Sequence, residues 1–129
     1  MKWMAVFALA AGCITGTALA GDFDGSRELL CAPVLAMDCA EGADCTTGTP
    51  VQMGAPAFIR VNAAKKQVIG AKRSLPAQQV DKTSEQLMLR GADSGQAWAI
   101  AIDAASGRMY ATLTGRDGAI VLIGSCTPV

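Results

Sequence analysis

Apolar and polar positions alternate most regularly in the carboxy-terminal third of the chain. Trp98, Ile100 and Ile102 share one phase of a two-residue period with alanines between them. Met109, Ala111 and Leu113 repeat the pattern against Tyr110, Thr112 and Thr114. Period two places successive side chains on opposite faces of a strand, so each set predicts a strand with one face buried. Residues 86–90, 97–102, 108–113 and 120–124 read as four such strands, and the Gly- and Asp-bearing stretches 91–95, 103–107 and 115–118 read as the turns between them. The turns are evenly spaced, close to the roughly 8–12 residues expected of a meander or small barrel.

The first half is less regular. Residues 28–37 are mostly apolar but interrupted by Pro33, which predicts an edge strand or a bulge. Residues 40–56 are rich in Gly, Thr and Pro and read as a long loop. Residues 57–61 form a strand that turns through 62–65 into 66–69, a hairpin. Residues 71–86 carry few apolar anchors around Val80 and read as a loop leading into an edge strand. No strand is followed by a helical stretch long enough for a parallel crossover. The fold class predicted for residues 21–129 is all-β: one small antiparallel meander or barrel-like domain.

The amino terminus does not belong to that pattern. Lys2 precedes an almost uncharged run that ends in Ala18-Leu19-Ala20, and the first acid is Asp22. A basic start, an apolar middle and a small-x-small end predict a helical secretory signal peptide over residues 1–20, cleaved after Ala20. Gly12, Thr15, Gly16 and Thr17 break the run, against the roughly 20 predominantly apolar residues of a membrane span. Leu9-Ala10-Ala11-Gly12-Cys13 offers a rival route, lipidation at Cys13. However, Ala10 stands where a lipobox carries a bulky aliphatic residue, and no polar tether follows. The expected location is therefore periplasmic or secreted.

Cleavage would remove Cys13 and leave Cys31, Cys39, Cys45 and Cys126. An even set in a small exported domain reads as disulfides. Four cysteines allow three pairings, and sequence alone leaves all three open. Cys39–Cys45 with Cys31–Cys126 is preferred, since 40–44 is turn-rich and the other two cysteines lie in the first and last predicted strands.

Charge and chemistry narrow the function only by subtraction. The mature part would hold ten bases against eleven acids, a net of −1, which calls for neither nucleic acid nor an anionic membrane. Residues 21–50 carry a net of −5 and residues 51–90 a net of +5, read as solvated segments of opposite sign. Lys65, Lys66, Lys72 and Arg73 form a basic hairpin region without the interleaved aromatics of a stacking platform. The chain has no histidine, so the commonest general base and metal ligand is missing. Asp38, Glu41 and Asp44 crowd the short cysteine loop, but a calcium loop's alternating acids and central glycine are absent. Asp93, Asp103 and Asp117 all sit in turn motifs, where Asp is favoured for local hydrogen bonding rather than for a catalytic pair. Trp98 and Tyr110, at strand positions, are expected in the core. No catalytic, cofactor or metal residues are assigned.

At Phe23-Asp24-Gly25-Ser26, Leu29-Leu30-Cys31-Ala32, Met37-Asp38-Cys39, Ser106-Gly107-Arg108-Met109 and Gly124-Ser125-Cys126-Thr127-Pro128 the chain resembles a group of small exported bacterial (proteobacterial-type) proteins. That resemblance implies export and shared architecture, and no site residues. Ser106-Gly107-Arg108-Met109-Tyr110 is also similar to the Ser-Gly-x-x-Tyr turn of the C-type periplasmic lysozyme inhibitors, which are cystine-bearing antiparallel barrels. The chain departs from that family in reading Gly115-Arg116-Asp117-Gly118-Ala119 where the family has aromatic-Lys-Gly-x-x-Ala. The resemblance implies an interaction turn at Ser106, Gly107 and Tyr110.

The expectation is a non-enzymatic binding or interaction domain, with no cofactor and with a protein or small ligand of the periplasm as partner. Inhibition of a cell-wall hydrolase is the first alternative. A histidine-free hydrolase is the second.

Overall fold

The computed structural model describes residues 22–40 and 44–129. The expected signal peptide, Cys13 and Glu41 lie outside them. The described residues form ten strands and no helix: β1 (Leu29–Ala40), β2 (Thr46–Gly48), β3 (Ile59–Asn62), β4 (Gln67–Ile69), β5 (Ser74–Pro76), β6 (Gln79–Lys82), β7 (Gln86–Asp93), β8 (Gln96–Asp103), β9 (Arg108–Gly115) and β10 (Gly118–Pro128). They build one curled antiparallel sheet in the order β5-β4-β3-β1-β10-β9-β8-β7-β6, with β2 paired on β1. The two end strands are consecutive in sequence. Only Ala77 and Gln78 separate them, and their amides donate to Lys66 O and Arg90 O, so the sheet curls into a half-barrel that brings its two end strands near each other without pairing them.

The all-β reading therefore holds, with local differences. β1 is central rather than an edge, and it absorbs Pro33 in a bulge: the register shifts between Pro33 and Leu35 and Val34 is pushed out to 69% exposure. β7 runs through Gly91 to Asp93, beyond the turn read there. The hairpin needs only Ser94 and Gly95, both at positive φ as a tight two-residue turn requires. Residues 71–86, read as a loop and one edge strand, hold both β5 and β6, short strands whose pairing tertiary closure supplies. The long loop 40–56 contains β2.

Inward side chains fill the barrel unevenly. Leu29, Cys31, Val61, Leu87, Leu89, Ile102 and Met109 are fully buried. Most of them belong to the end of the barrel where β1 begins and β8 finishes. That end is plugged by the segment before β1: Phe23 packs on the core, and Gly25 is buried beneath Ala63 and Leu87. Towards the opposite end the inward positions of the same strands become Trp98, Ile100, Leu113, Ile120 and Leu122, and there the packing opens.

Both disulfides follow the preferred pairing. Cys31 and Cys126 face each other directly in the β1–β10 ladder with Cα atoms 3.9 Å apart, and both are buried. Cys39–Cys45 closes a short loop between β1 and β2.

Candidate functional site

The open end encloses a cavity of about 550 Å³, within the ~300–1,000 Å³ range of small-molecule sites. Its wall is apolar: Ile59 and Val68 from β3 and β4, Leu75 from β5, Trp98 and Ile100 from β8, Leu113 from β9 and Leu122 from β10. Strand alternation explains the wall, since each of these residues takes the inward phase of its strand. The loop 51–56 borders the mouth with Val51 and Met53. It is held in a compact turn by Met53 N and Ala55 N, which donate to Pro50 O at 3.1 and 2.8 Å. Lys72, Arg73 and Asp93 supply the charged groups at the mouth. Arg73 Nη1 lies 2.8 Å from Asp93 Oδ2, and Asp93 also accepts from Ser94 Oγ.

Trp98 is the largest side chain of the wall, and Gly91 makes room for it. A Cβ on Gly91 would come within 2.8 Å of Trp98 Cζ2 across the β7–β8 pair. The indole is 6% exposed, and its Nε1 is buried without a hydrogen-bond partner, which costs about 1–3 kcal/mol. Trp98 is thus both a core residue and a wall of the cavity. The expectation of Tyr110 in the core does not hold: it points outward from β9 and is 50% exposed.

The Ser106-Gly107-Tyr110 turn lies at the plugged end, away from the cavity. Its hydrogen bonds account for its sequence. Asp103 Oδ1 accepts from Ser106 N at 2.6 Å, Ser106 Oγ at 2.7 Å and Ala105 N at 3.1 Å. The bonds from Ser106 hold the Asp103 carboxyl below its ordinary pKa. Gly107 has φ +72°, donates to Asp103 O, and accepts from Cys126 N. A Cβ there would meet Phe23 at 2.5 Å, so plug and turn are built against each other. Asp24 shows the same local chemistry: hydrogen bonds from Ser26 lower its carboxyl pKa.

The remaining candidate residues are dispersed. Asp93 is at the mouth, whereas Asp103 ends the strand that starts opposite it, roughly 23 Å away at ~3.3 Å per residue. Asp117 is 88% exposed in the β9–β10 turn beside Arg116. Asp38 is paired in β1 with Ile120 and Thr46. Among the described residues no three His, Cys, Asp or Glu side chains group as metal ligands would. The basic hairpin region is divided: Lys65 and Lys66 precede β4, and Lys72 and Arg73 follow it, so the two pairs sit at opposite ends of the strand. The cavity itself escaped the sequence reading. Its signal was the run of large inward residues at the open ends of β8, β9 and β10, which period two alone cannot tell from packed core.

Fold and cavity together define a small, cystine-bridged, barrel-like β domain with an apolar chamber open at one end. No protein-family model matches the chain, and no match emerges among curated proteins or solved structures.

Proposed function

We propose that the chain is an exported, non-enzymatic binding domain whose ligand is a small apolar molecule held in the open end of the barrel. The observation that carries this reading is the apolar wall of the cavity, with charge confined to its mouth. Two disulfides suit an oxidising compartment, and no helix among the described residues is long and apolar enough to cross a membrane. The test is titration with the uncharged fluorophore N-phenylnaphthylamine. Saturable enhancement at one site per chain is expected, together with its loss in Leu113→Trp, which fills the chamber. Circular dichroism of the variant separates filling from misfolding. Folded wild-type protein that leaves the fluorophore dark overturns the reading.

A second reading, inhibition of a cell-wall hydrolase through the Ser106–Tyr110 turn, is favoured by the outward Tyr110. Ser106 and Arg108 are exposed beside it. Lysozyme inhibited by micromolar protein, and released by Tyr110→Ala, is the expected result. Unchanged lysozyme activity removes this reading and leaves the cavity untouched.

A further inference from the structure

We propose that the chamber takes an amphipathic anion: an acyl or alkyl chain in the barrel, with its negatively charged head at Lys72 and Arg73. The proposal rests on the cavity being the binding site and adds what binds there.

The depth of the chamber selects the tail. Trp98, Ile100, Leu113 and Leu122 present no charged group, and the one buried polar side-chain atom without a partner among the described residues, Trp98 Nε1, belongs to the same ring that forms the wall. A charged head carried into this region would exchange its water shell for, at most, one neutral indole N–H. The head must therefore stay at the mouth.

The mouth selects the sign. The charged residues lining the cavity are two cations, Lys72 and Arg73, and one anion, Asp93. Asp93 is committed to Arg73 at 2.8 Å, and its carboxylate also takes the Ser94 hydroxyl. Lys72 has no carboxylate within 4.0 Å among the described residues. The balance at the rim is one uncompensated positive charge on a flexible stem, beside a guanidinium that Asp93 orients. Both cations stand in the 70–73 turn, which Gly70 N closes onto Arg73 O at 2.9 Å. The head is therefore met by side chains anchored on one short loop. A cationic amphiphile would place like charge against Lys72, and an alcohol would leave the ammonium without a counter-ion.

Calorimetric titration of the exported protein compares four ligands with one tail: laurate, lauryl phosphate, lauryl alcohol and lauryl trimethylammonium, each below its micelle concentration. Laurate or lauryl phosphate is expected to bind roughly three- to tenfold tighter than the alcohol, as a half-exposed charge pair allows. The trimethylammonium compound is expected to bind weakest. The better of the two anions tells a carboxylate head from a phosphate head. Lys72→Glu is expected to erase the preference for the anion while leaving alcohol affinity within about twofold, and raised salt to compress it in the wild type. Equal affinity for all four, or a preference that survives Lys72→Glu, overturns the assignment of the head and leaves the apolar site standing. Binding of none of the four, alongside a bound N-phenylnaphthylamine, overturns the amphiphile while keeping the cavity. If the fluorophore is excluded as well, both readings fall.

Discussion

Asp103 shows how much a single side chain settles in this protein. Its carboxylate collects three hydrogen bonds within its own turn, so its proton affinity is lower folded than unfolded. A depressed carboxyl pKa contributes stability that is present above the unfolded value and is lost as pH falls through the folded one. Asp103→Ala should therefore be less stable than wild type at neutral pH. The two should converge as the pH drops below the ordinary carboxylate range, which chemical denaturation across an acid series would show. At Gly91 the limit is space. Gly91→Ala puts a methyl against Trp98 Cζ2 and Cε2, and overpacking of this kind costs about 1–3 kcal/mol. Where cleavage after Ala20 removes Trp3, Trp98 is the sole tryptophan, and the variant should also shift its emission to the red. The Asp and Gly positions were readable as turn chemistry. Gly91 was misread as turn because a glycine opposite a tryptophan looks, in sequence, like any other glycine.

Among the elements, β1 and β10 carry the fold. They run antiparallel over most of their length, and Cys31–Cys126 joins them across the ladder. The 95-residue separation of these cysteines gives their bond more leverage on the unfolded chain than the six-residue separation of Cys39 and Cys45. The chain-entropy relation puts the two at about 4–5 and about 2 kcal/mol, before native-state strain. Replacing Cys31 and Cys126 by Ala should lower the denaturation midpoint more than the same change at Cys39 and Cys45. Reduction should add four hydrogens to the intact mass. The strands that alternate cleanly, β8 and β9, were legible because their outward positions are Ala, Thr and Tyr against large apolar inward ones. β5 and β6 were not, since three- and four-residue strands with one anchor each acquire their pairing from partners distant in sequence.

For the whole molecule, the barrel is asymmetric along its axis: plugged and densely packed where the chain enters β1, open where the 70–73, 94–95 and 116–117 turns gather. A ligand in the chamber should stabilise the fold by about 2.7 kcal/mol when its free concentration is a hundred times its Kd. A thermal-shift series with laurate should therefore move the wild-type Tm upward and leave that of Leu113→Trp unchanged. The same asymmetry separates the two candidate sites, since blocking the cavity should not alter the surface around Tyr110.

Period-two alternation, turn residues and the placing of Cys31, Cys39, Cys45 and Cys126 were sufficient in the sequence to specify an all-β antiparallel domain and to favour the observed disulfide pairing. Each is a local signal, written in neighbouring residues or in their positions along the chain. Curling of the sheet that brings β5 near β6, the central place of β1 and the chamber behind Trp98 are not local. They depend on how far the curled sheet draws its inward side chains apart at one end, and only the tertiary arrangement decides that distance.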